Sequence, residues 1–180
     1  MKCEDRFRQI GFLIGLHHIL GRRGLLFSLK GDFHSALPLF KEQNAINEKI
    51  GYCKGQEISH SRLAKCYLSS GMIDEAHVHA EAQNAISIEK GFYEGKVESE
   101  FLMMKIQVLK NNTDEAYKQI KIFEDDCICK KDSFNLFSGM VYKKIIHSIE
   151  YHTDVSGIEI TENDREISKN PVYQRLMKKF

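Results

Sequence analysis

The side chains that could carry chemistry are few and scattered along the chain. Cys127 and Cys129 lie beside Asp125 and Asp126, an arrangement that suggests a metal or redox pair. A metal site normally takes two such pairs, or a Cys/His partner at suitable spacing. The sequence offers neither, so we interpret the two as helix-end cysteines and predict no metal and no cofactor.

The histidines do not form a ligand set either. His77 and His79 are two residues apart, and His17 and His18 are adjacent, so on a helix each pair diverges. The sequence also lacks a glycine-rich phosphate loop, a nucleophile elbow and a paired-carboxylate motif. We predict that the protein is not an enzyme. The alternative is an unrecognised helical enzyme, for which turnover lost on mutating clustered polar residues would be the evidence.

The charge balance and the cysteines limit the classes of binding partner and the cellular compartment that the sequence supports. The 26 Lys and Arg residues balance 25 Asp and Glu residues, which leaves no net field to favour nucleic acid or an anionic membrane. Five cysteines without a framework spacing indicate reduced thiols. The apolar run from Ile10 to Leu20 contains two histidines and follows a charged segment, so it fits neither a signal peptide nor a membrane span. We therefore predict a cytoplasmic protein.

A repeated segment organises the chain. Glycine, an aromatic residue, two variable residues and glycine occur at 11–15, 51–55 and 91–95, and Gln-Asn-Ala-Ile occurs at 43–46 and 83–86. Both repeats have a spacing of 40 residues. Self-similarity at such a period indicates stacked helical repeats.

Between these segments the apolar spacing predicts paired helices. Gly31 and Asp32 are expected to end one helix and N-cap the next, Pro38 to lie within about the first turn of that helix, and Thr113 to N-cap a later one. The expected helices span about 15–30, 34–49, 55–70, 74–89 and 133–150, with a third pair over 95–126 divided at Asn111-Asn112, and with shorter helices near 159–167 and after Pro171.

The repeated small and aromatic residues have expected structural roles. The first glycine of each segment can end a helix in the left-handed conformation, and the second allows the next helix to start close to its neighbour. The aromatic residue between them is expected to fill the seam between repeats, and the small residue of each second helix to permit close approach. The aromatic residues are Phe12, Tyr52 and Phe92, and the small ones are Ala36, Ala76 and Ala116.

These residues resemble the tetratricopeptide repeat (TPR) family, in its longer form with a 40-residue period. The resemblance rests on Gly24, Phe27, Gly31, Asp32, Ala36 and Phe40 in one repeat, on Leu63, Ala64, Tyr67, Gly71, Ala76 and Ala80 in the next, and on Met103, Met104 and Ala116 in the third, where Asn111 replaces a turn glycine. It implies an all-α, right-handed superhelical stack of antiparallel hairpins, a TPR-like α-solenoid of about 7–9 helices.

We expect this array to occupy residues 1–152. It would consist of a partial repeat at 1–10, repeats at about 11–50, 51–90 and 91–130, and a degenerate repeat at 131–152, followed by a polar linker and a C-terminal capping helix over 153–180. The start within a repeat has two explanations, a native shortened cap or a segment of a longer array.

The resemblance also implies a binding function, because the first helices of TPR hairpins line a concave groove. By position, the groove residues are His18, Arg22, Leu25, Ser61, Arg62, Lys65, Phe101 and Lys105. Their cations favour a protein or peptide ligand that bears carboxylates. We expect a non-catalytic scaffold with no direct nucleic-acid or membrane partner, and a homo-oligomer is compatible. The alternatives are ordinary solvated helix faces, or the sensory or regulatory portion of a larger signalling protein or transcriptional regulator.

Overall fold

All the regular elements that the structure describes are α-helices. The structure is a computed structural model that describes residues 2–132, together with 135, 139 and 143. The helices are α1 (Lys2–Gln9), α2 (Leu13–Leu29), α3 (Phe33–Lys49), α4 (Cys53–Ser69), α5 (Ile73–Lys90), α6 (Tyr93–Leu109) and α7 (Thr113–Cys129). The predicted all-α fold is confirmed, and each predicted helix over 15–126 has an observed counterpart.

The chain forms two compact units, residues 1–106 and residues 107–180. In the first, α1 packs on α2, α2 on α3, α3 on α4 and α4 on α5, so each helix contacts its neighbours in the sequence. One core cluster there includes Ala36, Phe40, Leu63, Tyr67 and Met103. In the second unit, α7 buries Ala116, Ile120, Phe123 and Cys127. Ala36, Ala76 and Ala116 have no exposed surface, as expected of residues at close helix approaches.

A left-handed residue recurs every 20 residues at the end of a helix. Gly51 has a φ of +65°, where glycine avoids the clash that a β-carbon suffers. Asn111 and Lys131 occupy equivalent positions with φ values of 55° and 56°. The turn geometry therefore continues to residue 131, although the glycines expected there are replaced. The full series is Gly11, Gly31, Gly51, Gly71, Gly91, Asn111 and Lys131.

The second glycine of each repeated segment is the third residue of a helix. Gly55 is buried in the first turn of α4, and a β-carbon there would lie 2.6 Å from Oδ1 of Asn47. This supports its expected role in close approach. Phe12 and Tyr52 are 46% and 43% exposed, and their rings contact those of Phe7 and His17 at centroid distances of 5.2 and 5.6 Å, so they fill the seam in part. A β-carbon on Gly15 or Gly55 would collide with the ring of Phe12 or Tyr52, so each ring lies against the second glycine of its segment.

Three local predictions concern the start of α3 and of α7, which are the second helices of their hairpins. Asp32 caps α3 as expected, because its carboxylate accepts a hydrogen bond from the Ser35 N–H at 3.0 Å. The cap of α7 is Asn112, and not the expected Thr113, because Asn112 occupies the repeat position of Asp32. Pro38 is the sixth residue of α3, beyond the expected first turn. The helix continues through it because the unpaired carbonyl four residues earlier belongs to exposed His34.

The predicted helices after residue 132 lie outside the described residues, apart from three helical positions at 135, 139 and 143. All five cysteines are free thiols; Cys66 and Cys127 are buried, and Cys3 and Cys129 are exposed. Because Cys127 and Cys129 differ in this way, they lie on different faces of α7. No helix in the described part of the chain has the length and apolar character needed to cross a membrane.

Candidate functional site

The predicted groove residues form a stripe along the first helices of successive hairpins, α2, α4 and α6. Within one helix the stripe positions are one, three or four residues apart, which places them on neighbouring parts of the helix surface. We call the eight predicted residues the groove stripe. Its repeat positions are His18, Ile58 and Glu98; Gly21, Ser61 and Phe101; Arg22, Arg62 and Leu102; and Leu25, Lys65 and Lys105.

Arg62 of α4 is held in place by residues of α2 and α3. Its Nη1 donates a hydrogen bond to Oε1 of Gln43 at 3.0 Å, and its guanidinium lies 5.9 Å from the centre of the Phe40 ring. A β-carbon on Gly21 would collide with Nη1 of Arg62. Glycine at position 21 therefore gives Arg62 the space to lie against α2. Burial lowers the pKa of Arg62, and the positive charge of Arg22 lowers it further.

Gln43 connects Arg62 to a buried histidine. Gln43 and His17 are 1% and 5% exposed, and Nε2 of Gln43 lies 3.2 Å from Nδ1 of His17. Because Nε2 of glutamine can only donate, Nδ1 of His17 is the acceptor and the ring carries its proton on the other nitrogen. Burial lowers the pKa of His17, and the neighbouring charges of His18 and Arg62 act in the same direction. The predicted stripe residue His18 is exposed, with its ring centre 4.5 Å from that of His17.

Gln83 occupies the same repeat position as Gln43 but has acidic surroundings. Its Nε2 lies 2.9 Å from Oε1 of Glu57, 2.9 Å from Oε2 of Glu98 and 3.2 Å from the carbonyl oxygen of Gly95, so its two N–H groups are shared among three acceptors. Gln83 and Glu57 are 0% and 2% exposed. A buried amide therefore holds two carboxylates together across α4, α5 and α6.

The predicted groove residues Ser61 and Lys65 both bind Glu98. Ser61 donates its hydroxyl hydrogen to Oε2 of Glu98 at 2.7 Å, and Nζ of Lys65 forms an ion pair with the same carboxylate. Burial raises the pKa of Glu98, but its hydrogen bonds with Lys65, Ser61 and Gln83 outweigh burial and leave the pKa below its ordinary value. The charge of Lys65 is thus compensated within the protein.

Sequence reasoning missed Glu98 although a signal was present. Glu98 lies 40 residues after Ile58 and 80 after His18, at a stripe position, and its charge is opposite to that of Lys65. The remaining stripe residues differ in their surroundings. Arg22 is exposed and Leu25 is 43% exposed, while Nζ of Lys105 lies 4.8 Å from the centre of the Phe101 ring.

A second unpredicted cluster lies between α4 and α5. The Nδ1 atoms of His60 and His79 are 2.9 Å apart, and the His79 ring stacks on Tyr67 with an interplanar angle of 5°. Lys41 contacts the same tyrosine ring at 5.7 Å. Burial lowers the pKa of His79 to about 4, and the charges of His60 and Lys41 contribute. Burial also lowers the pKa of His60. The two histidines are 19 residues apart in the sequence and lie on different helices, so the periodicity of a single helix does not predict their contact.

The comparison with solved structures identifies the architecture. The chain is similar to the crystal structure of nearly identical TPR-like repeats from a Podosopora anserina protein described as a kinesin light chain. The TM-score is 0.60 with 13% sequence identity, and the match covers 99% of this chain and 94% of the other. At this identity the likeness shows the fold, which is a TPR-like helical repeat.

The sequence comparisons add no closer assignment. No protein-family model matches the chain, and no curated protein matches it. A TPR-like fold serves as a scaffold for protein interaction in many contexts, so the function has to be argued from this chain's own side chains.

Proposed function

We propose that this protein is a non-catalytic TPR-like scaffold that binds a carboxylate-bearing peptide or protein segment along its groove stripe. The observation that carries the proposal is the arginine pair formed by Arg22 and Arg62 at one repeat position of α2 and α4. Arg22 is exposed, and Arg62 is half-buried and close enough for the charge of Arg22 to lower its pKa. Two neighbouring guanidinium groups provide the planar, forked donors that recognise carboxylates.

Arg62 is already ordered before a ligand binds. Its contacts with Gln43, Phe40 and the backbone at Gly21 restrict its rotamers, which reduces the entropy lost on binding. A guanidinium has five N–H donors, and the hydrogen bond to Gln43 uses one of them. Donors therefore remain on Arg62 for a ligand.

The other stripe residues have supporting roles in this proposal. Lys65 is paired with Glu98, so we assign the carboxylate to the arginine pair and not to an evenly basic groove. Leu25 lies three residues after Arg22 and is exposed, which gives the ligand an apolar contact beside its carboxylate. Phe101 and Lys105 extend the stripe along α6.

The test is a photo-cross-linking experiment at position 25. Leu25 is replaced by a photoreactive phenylalanine derivative, and the full chain is irradiated in a lysate of its source cells. We expect a discrete cross-linked protein whose yield falls at least tenfold in Arg22→Gln/Arg62→Gln, since a charged hydrogen bond contributes about 1.5–3 kcal/mol. The control is Lys49→Gln, which removes an exposed cation from α3.

Two further results complete the test. Replacing acidic residues of the cross-linked segment by their amides should reduce the yield as the double arginine variant does. An equal yield from the parent and the double variant, with both folded by circular dichroism, would contradict the assignment of the arginine pair. No cross-linked protein from position 25 would contradict the groove proposal as a whole.

A further inference from the structure

One repeat position of the groove stripe carries a carboxylate that belongs to the protein itself. Glu98 occupies the repeat position of His18 and Ile58, so α6 has an acidic side chain where α2 and α4 have none. The charged residues that were predicted for the stripe are all cationic, and Glu98 is the exception among their repeat equivalents. Its contacts are those of a bound carboxylate.

The two oxygens of Glu98 contact donors that differ in exposure. Oε2 accepts a hydrogen bond from the Ser61 hydroxyl at 2.7 Å and lies 2.9 Å from Nε2 of Gln83, and both of these partners are buried. Oε1 pairs with the ammonium group of Lys65, whose side chain is 51% exposed. A hydroxyl, an amide and an ammonium group therefore surround one carboxylate. The same donor types bind the carboxylates of ligands.

Glu98 is anchored too well to be displaced easily by a ligand. Its backbone belongs to α6, while the partners of Oε2 come from α4 and α5, so three helices fix the carboxylate. Despite its burial, its hydrogen bonds keep its pKa below the ordinary value, so it is ionised at neutral pH. An intramolecular group competes at a high effective concentration. A second carboxylate beside it would also be repelled, so the donors of Ser61 and Lys65 are closed to acidic ligands.

The arginine pair has no such internal carboxylate. One repeat before Glu98, the equivalent position is taken by Ile58, which has no charge. Arg62 donates to the neutral amide of Gln43, and neither arginine of the pair forms an ion pair within the described part of the chain. The charge of the arginine pair is therefore available to a ligand, whereas the charge of Lys65 is not.

We propose that Glu98 is a specificity-determining residue of the groove stripe, which fills the carboxylate site at Ser61 and Lys65 and restricts acidic ligands to the arginine pair. This inference rests on the proposed function, because it concerns the choice among ligands of the same groove. A segment whose acidic residue contacts the arginine pair is bound. A segment that also brings a carboxylate to Lys65 is bound more weakly, because it meets Glu98 there.

The test is the appearance of new binding in Glu98→Gln. The amide keeps an acceptor for Ser61 and Gln83 but leaves Lys65 without its ion pair. A displayed library of random dodecapeptides is selected on the immobilised full chain, with the parent, Glu98→Gln and Glu98→Gln/Lys65→Gln in parallel. We expect the parent to enrich peptides with one acidic position and Glu98→Gln to enrich a second one. The double variant should lose the second position.

Fluorescence anisotropy then measures the size of the effect. A labelled peptide with both acidic positions, taken from the Glu98→Gln selection, should bind Glu98→Gln about tenfold more tightly than the parent, the change expected from one charged hydrogen bond. Its derivative with the second acidic residue replaced by the amide should bind both proteins equally. Glu115→Gln is the matched control, because Glu115 also pairs with a lysine, Lys118, but lies on α7 outside the stripe.

A second variant tests the inference without a change at position 98. Lys65→Gln removes a cation from the stripe, yet it should leave the peptides selected by the parent bound as tightly as before, because Glu98 already occupies Lys65. Weaker binding of those peptides by Lys65→Gln would overturn the proposal. A purely structural role of Glu98 predicts that Glu98→Gln binds every peptide equally or more weakly than the parent, and that result would overturn it as well.

The outcomes distinguish this inference from the proposed function. No second acidic position in Glu98→Gln, or a second position that persists in Glu98→Gln/Lys65→Gln, contradicts the role of Glu98 and leaves the arginine pair intact. A first acidic position that Arg22→Gln/Arg62→Gln enriches as the parent does contradicts the arginine pair. A second position in Glu98→Gln that depends on Lys65 supports the role of Glu98 even then.

Discussion

The same substitution at two equivalent positions should have unequal effects on stability, and this tests the polar network beneath the groove stripe. Gln43 and Gln83 are 40 residues apart, and both are fully buried. In Gln83→Glu, the donor that faces Glu57 and Glu98 at 2.9 Å becomes a carboxylate oxygen. In Gln43→Glu, the new carboxylate faces Arg62, which already donates to this side chain at 3.0 Å.

The magnitude for Gln83→Glu follows from proton uptake. Two unit charges 2.9 Å apart repel by about 6 kcal/mol at an effective dielectric constant of 20, so the cluster binds a proton instead. Holding a carboxyl of ordinary pKa about 4.3 protonated costs about 1.4 kcal/mol per pH unit, or about 3.7 kcal/mol at pH 7 and about 1 kcal/mol at pH 5. We expect a loss of unfolding free energy of about 3 kcal/mol at pH 7, because Lys54 and Lys65 offset part of the repulsion.

The sign of the pH dependence is also fixed. Between pH 5 and 7 the native variant holds a proton that the unfolded chain has released, so its stability relative to the parent falls as pH rises. In Gln43→Glu, the ion pair with Arg62 compensates for the lost donor to His17, and we expect a change within about 1 kcal/mol.

Urea unfolding followed by circular dichroism at pH 5 and pH 7 measures these differences, with equal m values confirming a common unfolding reaction. Equal losses in the two variants would refute the assigned surroundings of the glutamines. A loss for Gln83→Glu that does not grow between pH 5 and 7 would refute the proximity of the three carboxyl groups.

Three further predictions concern other parts of the chain. In the unfolded state His79 takes up a proton below pH about 6.5, whereas in the native state it does so only near its pKa of about 4. The free energy of unfolding should therefore fall by about 1–2 kcal/mol as pH decreases through this interval, after allowance for solvent screening. Urea unfolding should show a smaller fall in His79→Gln. Gly55→Ala should lower the unfolding free energy by about 1–3 kcal/mol through overpacking, and no loss would contradict the close approach of Gly55 to Asn47. Gly51→Asn should lower the unfolding free energy less than Gly51→Ala does, because asparagine tolerates the left-handed conformation. Thermal melting of the three variants measures these differences. Cys129 should react with a thiol reagent in the native protein, whereas Cys66 should react only on unfolding, because Cys66 is buried and burial raises its pKa. Mass spectrometry of the modified peptides distinguishes the two cysteines. Fast labelling of Cys66 in the native protein would contradict its position under α3.

Local features of the fold were predictable from the sequence to within one or two residues. The cap at Asp32 and the left-handed turn at Gly51 depend on interactions between residues close in the chain. The predicted cap at Thr113 was wrong by one residue. Asn112 also has a capping side chain, and it occupies the repeat position of the capping residue Asp32. The aromatic residues lie at the seam as expected, whereas the extent of their exposure depends on how two helices meet.

The candidate site was less predictable than the fold. The repeat position placed Arg62 and Lys65 on one stripe, but it did not show that one is held by Gln43 and the other by Glu98. It also did not show why residue 21 is glycine, since the clash with Arg62 involves a side chain 41 residues away.

The sequence by itself determined the period of 40 residues, the helices from α2 to α7 and the buried alanines, because helix propensity, capping and turn conformation act over a few residues. Only the tertiary structure decided which charges are paired and which histidines meet. Those outcomes involve partners 19 to 37 residues apart, such as His60 with His79 and Ser61 with Glu98. Such pairs form only when one hairpin stacks on the next.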